Sequence, residues 1–371
     1  MKREGLNIPL AKPSVTEEEI EAVVRVLRSK ALVQGSEVAG LEAEICQLTG
    51  AKAAVAVANG TVALELALRA LGVGPGDEVI VPAFSFMATA NAVESRGAKP
   101  VFVDISPDTF NIDPTLVERA LTPRTKVLMP VHEFGLCSDM AALCDLSQRH
   151  GLPLLEDAAC AIGSKLDGRH AGSFGILGTF SFHPRKIVTS GEGGMILCQD
   201  PALADRLRSF RNHGISPGTT PASFQEAGTN ARLTDFQAAM ARPQLRRIEH
   251  SIAARTAVAQ HYLKHLHIEG ARLPSVPAGL RPNWQTFHVV LPDRLVRDAV
   301  IATLSSQGIG TNFGAHCMPA QHYYVGKYGI DARTRFPNAW NAWRQGLALP
   351  IFEELSPEEL SYVTDALNSL S

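Results

Sequence analysis

Apolar residues at Ile20, Val23, Val24 and Leu27 recur at helical spacing behind Ser14-Val15-Thr16-Glu17, which fits a capping box. The chain is therefore expected to open with a short arm and a helix, broken at Gln34-Gly35-Ser36. Val38, Leu41, Ile45 and Leu48 carry a second helix. From residue 53 the period changes. The run Ala53-Ala54-Val55-Ala56-Val57-Ala58 reads as a short buried strand, leading through Asn59-Gly60-Thr61 into a helix from Val62 to Leu71. Strands then alternate with helices. Glu78–Val81 precedes a helix ending near Val93, Lys99–Val103 precedes Asp113–Ala120, and Thr125–Val131 precedes Ser138–His150. Leu152–Leu155 is the next strand and runs into Glu156-Asp157-Ala158-Ala159. Such alternation predicts an α/β fold, with a mainly parallel sheet covered by helices on both faces. Ligands of such sheets gather beyond the strands' carboxyl ends. Asn59, Phe86, His132 and Asp157 all fall there.

The next stretch alternates apolar Phe180 and Phe182 with polar Ser181 and His183, the pattern of a half-buried strand. Pro184 is expected to end it, having no N–H for the ladder. Lys186 then sits in a tight loop, and Gly191, Gly193 and Gly194 lead into a strand over Met195–Cys198. A lysine in a partly dry pocket has a lowered pKa and can form a Schiff base with a carbonyl. A surface lysine on a hairpin is the plainer alternative. Pro201–His213 reads as a helix and Ile215–Gly228 as a Gly/Pro/Ser/Thr-rich loop, either mobile or bordering the site. Thr234 caps a helix that is expected to continue past Pro243 toward Leu263, with a domain boundary near 245. Residues 1–245 would form a large domain and 246–371 a smaller one. The latter holds a strand over Thr286–Leu291, a helix over Asp298–Gln307 and a closing helix after Ser356-Pro357-Glu358-Glu359.

Composition narrows the partners. A formal net charge of −2 over 371 residues gives no basic face for nucleic acid or a membrane surface. No apolar run approaches a membrane span, and no apolar region follows Met1–Leu6 as in a secretory leader. The six cysteines form no CxxC pair, which argues for a reducing cytoplasm. No metal is expected: His261, His265 and His267 read as a solvated helix end, and His132-Glu133 is not an HExxH. The turn at Asn59-Gly60-Thr61 points backbone N–H groups at an anion, with simple helix capping as its other reading.

Six motifs occur in order: Asn59-Gly60-Thr61-Val62-Ala63-Leu64, the phrase from Gly74 to Pro82, Pro100-Val101-Phe102-Val103-Asp104-Ile105, Glu156-Asp157-Ala158-Ala159, Phe180 to Lys186, and Gly228 to Asp235. Together they resemble the DegT/DnrJ/EryC1/StrS family of sugar aminotransferases, fold-type I enzymes that use pyridoxal 5'-phosphate (PLP). The resemblance implies a large domain built on a mainly parallel seven-stranded-type sheet, plus a smaller α+β C-terminal domain. It implies that Lys186 is the Schiff-base lysine and that Asp157 faces the pyridine nitrogen. Gly60, Thr61 and Ser181 match the phosphate cradle, Phe86 the aromatic stacked on the ring, and Asn230 an asparagine reaching the phosphate across a dimer interface. A homodimer with shared active sites follows from that last match. His132, Arg185, Arg232, His316 and His322 would border the substrate.

The chain departs from the family's pattern at two places. Cys160 stands where many relatives have Gln or His against the ring hydroxyl. Arg185 replaces a small residue before the lysine and adds positive charge. Lys186 itself, where a dehydratase branch has His, points to transamination. The implied reaction is ping-pong transfer from L-glutamate to a nucleotide-linked keto-sugar, for amino-sugar, polysaccharide or secondary-metabolite biosynthesis. A keto-cyclitol acceptor is the alternative, left open by Asn312 to Cys317. A PLP-binding regulator without turnover is a third reading.

Overall fold

The computed structural model describes residues 7–370, so the Met1–Leu6 stretch lies outside the described residues. Helices α1 (Glu17–Ser29) and α2 (Ser36–Thr49) precede strand β1 (Ala53–Val57), which feeds α3 (Gly60–Ala70). Strand β2 (Glu78–Pro82), the two-residue β3 (Phe84–Ser85), α4 (Ala88–Ser95), β4 (Lys99–Val103), α5 (Pro114–Ala120), β5 (Thr125–Leu128), α6 (Met140–His150) and β6 (Leu155–Asp157) follow. A small hairpin, β7 (Lys165–Leu166) and β8 (Arg169–His170), leads to β9 (Leu177–Ser181) and β10 (Gly194–Cys198).

Two ladders build the main sheet. One has the order β1-β10-β9-β6 and the other β4-β2-β5. Parallel bridges Leu128↔Leu154 and Val131↔Asp157 join β5 to β6, so the strands run β1-β10-β9-β6-β5-β2-β4. Only β10 is antiparallel to its neighbours. The fold is the expected mixed α/β one with seven mainly parallel strands. Period two explains its two-sided burial. Val55 and Val57 join the core under α3, whereas Ala54 and Ala56 join the core that includes Val38, Leu41 and Ile45 of α2.

Beyond β10 come α7 (Pro201–Arg211), the loop through residue 228, α8 (Asp235–Arg246) and α9 (Ile248–His265). Strand β11 (Leu280–Arg281) pairs with β7, and β12 (Phe287–Val290) precedes α10 (Arg297–Ser306). Strand β13 (His316–Cys317) returns to pair with β3. Three short helices, α11 (His322–Tyr328), α12 (Ala332–Arg335) and α13 (Pro337–Arg344), lead to β14 (Gly346–Leu349), which pairs with β12; α14 (Pro357–Asn368) closes the chain. A separate apolar cluster gathers Tyr262, Phe287, Leu304, Leu347 and Val363 from these later elements.

Five expectations are corrected. Proline moves two strand ends: Pro130 closes β5 at Leu128 and Pro153 delays β6 to Leu155, because neither can donate to the ladder. Strand β9 ends at Ser181, where its register with Gly194 stops, before Pro184. The expected single helix across 245 is two helices, interrupted at Arg247 just beyond Pro243. Finally, α1 turns Glu19, Ala22 and Val26 inward, while Ile20 and Leu27 are 47% and 50% exposed. Glu19 is drawn in by its capping box with Thr16 and by the Arg247 guanidinium.

Candidate active site

The carboxyl ends of the strands open into one cavity of about 540 Å³. Of the residues singled out in the sequence, Gly60, Thr61, Phe86, Asp157, Cys160, Ser181, Arg185 and Lys186 line it. Lys186 comes from the β9–β10 loop, where its N–H donates to the His183 carbonyl at 2.8 Å. Glutamine side chains hold this loop from two sides. Gln244 accepts from the Thr189 N–H and donates to the Thr189 carbonyl, at 2.9 and 2.8 Å. Gln285 accepts from the Ile187 N–H at 3.2 Å and donates to the Arg185 carbonyl. The lysine Nζ lies 2.8 Å from Cys160 Sγ. Burial pushes that thiol's pKa up, against the pull of the Lys186 charge.

Asp157 is the last residue of β6 and is only 4% exposed. Its Oδ2 accepts from Thr89 Oγ1 at 2.8 Å and its Oδ1 from the Ala159 N–H at 3.2 Å. Burial raises its pKa, while these two donors and the charge of Lys186 act the other way. The start of α3 lines the same cavity and offers an anion cradle. Asn59 caps α3 through the Val62 N–H at 2.9 Å, which leaves the first N–H groups of the helix at its open end. A Cβ on Gly60 would stand 2.8 Å from the Ser181 Cβ, so only glycine lets the helix come this close to the hydroxyl. Phe86 also lines the cavity, 59% exposed although it is a large aromatic. A buried carboxylate, a facing ring, an amine and an anion cradle are the parts a phosphorylated pyridine aldehyde requires, and the residues fit PLP.

The remaining sequence candidates lie elsewhere. His132 is fully buried and does not line the cavity. Its Nε2 is 2.8 Å from Glu156 Oε2, and its Nδ1 accepts from the Ser138 N–H at 3.1 Å. Glu156 in turn accepts from the Gly172 and Gly175 N–H groups at 2.8 and 2.6 Å, so this pair is core architecture behind Asp157. Asn230 is exposed and outside the cavity, bridged to Asn212. Arg232 donates to Asn212 Oδ1 at 2.6 Å. His322 is exposed at the start of α11. His316 meets the cavity only through Phe86, 6.3 Å between ring centroids. Among the described residues no helix could cross a membrane, and no group of three or more His, Cys, Asp or Glu could hold a metal.

Sequence reasoning missed Ser85, Thr89, Glu133 and Gln285, all of which line the same cavity. Glu133 is the least expected. Burial pushes its carboxyl up to about 7, opposed by the Lys186 charge and the Ser85 hydroxyl and reinforced by Asp157.

A seven-stranded sheet with lysine and aspartate at neighbouring strand ends defines a PLP-dependent aminotransferase of fold type I. This chain belongs to the DegT/DnrJ/EryC1/StrS aminotransferase family, whose model matches residues 13–368. Among solved structures it is similar to the aminotransferase TlmJ from Streptoalloteichus hindustanus, with 34% identity over 98% of each chain and a TM-score of 0.92. It is also similar to DesV from S. venezuelae, with 37% identity over 96% of this chain and 98% of that one, TM-score 0.89. Spr1654 from Streptococcus pneumoniae, solved in its PLP form, shares 28% identity over 98% of each chain with a TM-score of 0.92.

Proposed function

We propose that this enzyme transfers the amino group of L-glutamate to a nucleotide-linked keto-sugar by a ping-pong route, each of its active sites shared between two copies of the chain. The carrying observation is one cavity that holds Lys186, Asp157 and the α3 cradle, with the cationic Arg185 at its exposed edge. Bound PLP supplies the electron sink for the carbon that loses or gains a proton. The α3 N-terminus and Ser181 would hold its phosphate, Phe86 would cover its ring, and Asp157 would offer its carboxylate to the ring nitrogen. Within each half-reaction Lys186 Nζ would take the proton from the carbon that loses it and return it to the carbon that gains it, a role for which its loop is fixed by Gln244 and Gln285. Arg185 offers a cation beside that amine to the carboxylate or phosphate of an incoming substrate.

The expected result is that L-glutamate bleaches the visible band of the PLP-loaded protein with release of 2-oxoglutarate, and that one nucleotide-linked keto-sugar restores it. Restoration by keto-cyclitols alone would favour the second reading. That reading has support of its own: a 3-amino-5-hydroxybenzoic acid synthase is 32% identical over 98% of each chain. The shared site is supported by Asn230, which is exposed outside its own chain's cavity, and by the exposed apolar residues Ile20, Leu27, Leu32 and Val33 near the N-terminus. Sedimentation should give a dimer at micromolar concentration. A monomer with full activity would exclude a shared site.

A further inference from the structure

The reaction described above uses one buried carboxylate, yet the cavity contains two. Glu133 is 5% exposed and lines the same wall as Asp157, Cys160 and Lys186. A second buried acid is costly unless its surroundings use it. The structure holds it there with effort. Phe134 has φ 56° and Gly135 φ 88°, so the turn after β5 is left-handed at two successive residues. Phe134 stacks on His288 at 4.6 Å and meets Phe84 and Phe110 edge-on, and the Glu133 N–H donates to Asn111 Oδ1 at 2.8 Å.

We propose that Glu133 is a positioning residue that acts on Asp157 through Ser85 and Thr89, setting by its own protonation how firmly Asp157 keeps the charge that faces the cofactor. The relay is laid out in hydroxyl oxygens. Thr89 Oγ1 donates to Asp157 Oδ2 at 2.8 Å, Ser85 Oγ lies 3.2 Å from Thr89 Oγ1, and Ser85 and Glu133 line the same cavity, where the Ser85 hydroxyl favours the ionised Glu133 carboxyl. Each hydroxyl has one proton to give. With Glu133 protonated, it donates to Ser85, Ser85 to Thr89 and Thr89 to Asp157. All three bonds then point toward the aspartate and strengthen one another. With Glu133 ionised, Ser85 turns its proton to the glutamate. The Ser85–Thr89 pair loses its hydrogen, and the Thr89 donation to Asp157 weakens. Direct repulsion between the two carboxylates acts in the same direction.

The charged groups that face Glu133 are Lys186, which favours its ionised form, and Asp157, which opposes it. The Phe134 N–H also favours the ionised form, and Cys160 lies next to Lys186. His132 lies behind Asp157. Burial leaves Glu133 titrating at about 7, where cellular pH changes are felt. The relay therefore supports a charged Asp157 below neutrality and releases it above.

This inference rests on the PLP reading of the site, so its test is split. In the apoenzyme, carbon-13 NMR of carboxyl-labelled glutamate follows the Glu133 midpoint in wild type, Asp157→Asn, Ser85→Ala and the double variant. Loss of the aspartate charge should lower that midpoint by about one pH unit or more. Removing Ser85 should shrink this shift by about half or more. A shift of the same size with and without Ser85 overturns the relay. In the holoenzyme, the pH midpoint of the visible cofactor band should move in both Glu133→Gln and Ser85→Ala. A midpoint unchanged in both variants overturns the role toward the cofactor. A wild-type protein that binds no PLP overturns the reading of the site, and the apoenzyme series still decides the relay.

Discussion

Two neighbouring strand ends deliver an acid to this cavity, and they do so by different means. At the end of β6 the acid is the strand's own last residue. Asp157 bridges to Val131, and its N–H donates to the Pro130 carbonyl at 2.9 Å. Its carboxylate leaves the sheet in the direction that strand geometry dictates. At the end of β5 the acid lies past the last ladder residue. Glu133 enters the cavity at the start of a turn whose next two residues, Phe134 and Gly135, take left-handed backbone angles, with Phe84, Phe110 and His288 packed on the Phe134 ring. Regular structure suffices for the acid assigned to face the cofactor. Strain, which must be compensated by packing, is found where the acid is poised to change its charge.

The sharpest way to break this comparison is Asp157→Asn. If Asp157 is the carboxylate facing the cofactor, its loss should lower turnover by about 10²–10³, the usual cost of removing one preorganised electrostatic partner. The circular dichroism spectrum should be unchanged, since asparagine is isosteric: its Oδ1 can still accept from the Ala159 N–H, and its Nδ2 can donate to the Thr89 hydroxyl, whose proton is free to turn. A variant within about tenfold of wild type would be too active for such a partner, and would assign the role to Glu133.

The difference between the two turns also explains what could be read from the sequence. Asp157, Ser181 and Gly60 could be placed from the sequence because each lies at the end of a strand or the start of a helix, and Lys186 because it follows one in a short loop; the roles expected of them came from the family resemblance. At the β5 end the same reasoning chose His132 over Glu133. Simple alternation cannot say which of two successive residues faces the cavity once the backbone turns left-handed. Here it buries the histidine against Glu156 and sends the glutamate inward. Gln285 was illegible for another reason: it lies 99 residues from Lys186 and belongs to the later elements, so only the folded chain brings it to the loop. The helical face of α1 failed on a third ground. Its apolar stripe looked like core, but the Glu19–Arg247 pair decides which side faces α8.

Gly135→Ala tests whether strain really holds the β5 turn. The new Cβ would sit at φ 88° and 1.9 Å from Asn283 Oδ1. Asn283 cannot simply move away. Its Nδ2 donates to the Cys160 and Ile162 carbonyls at 2.9 Å each, and its Oδ1 accepts from the Gln285 N–H at 2.9 Å. The expected loss is about 3 kcal/mol, from strain plus disturbed buried hydrogen bonds. Urea unfolding would measure it, and a loss below about 1 kcal/mol would place this turn among the relaxed ones.

The smallest effect, and the one confined to part of the pH range, belongs to Glu133→Gln. The folded-state carboxyl titrates at about 7, above its ordinary 4.5. Between those values the folded protein binds a proton that the unfolded chain has released. Wild-type stability must therefore fall as pH rises through this window, and the cost of the buried charge is fully present only above 7. Glutamine carries no charge to bury. The variant should match wild type near pH 4.5 and exceed it at pH 8 by at most an amount on the order of 3 kcal/mol, set by the displacement of the carboxyl. Asp157→Asn should share this sign, because burial raises that carboxyl too, but the Thr89 and Ala159 donors oppose the rise. Unfolding curves of both variants across this range would separate the two acids. A Glu133→Gln advantage that is flat with pH would mean that Glu133 keeps one charge state in the folded protein, and the contrast between the acid assigned to face the cofactor and a switchable one would be lost.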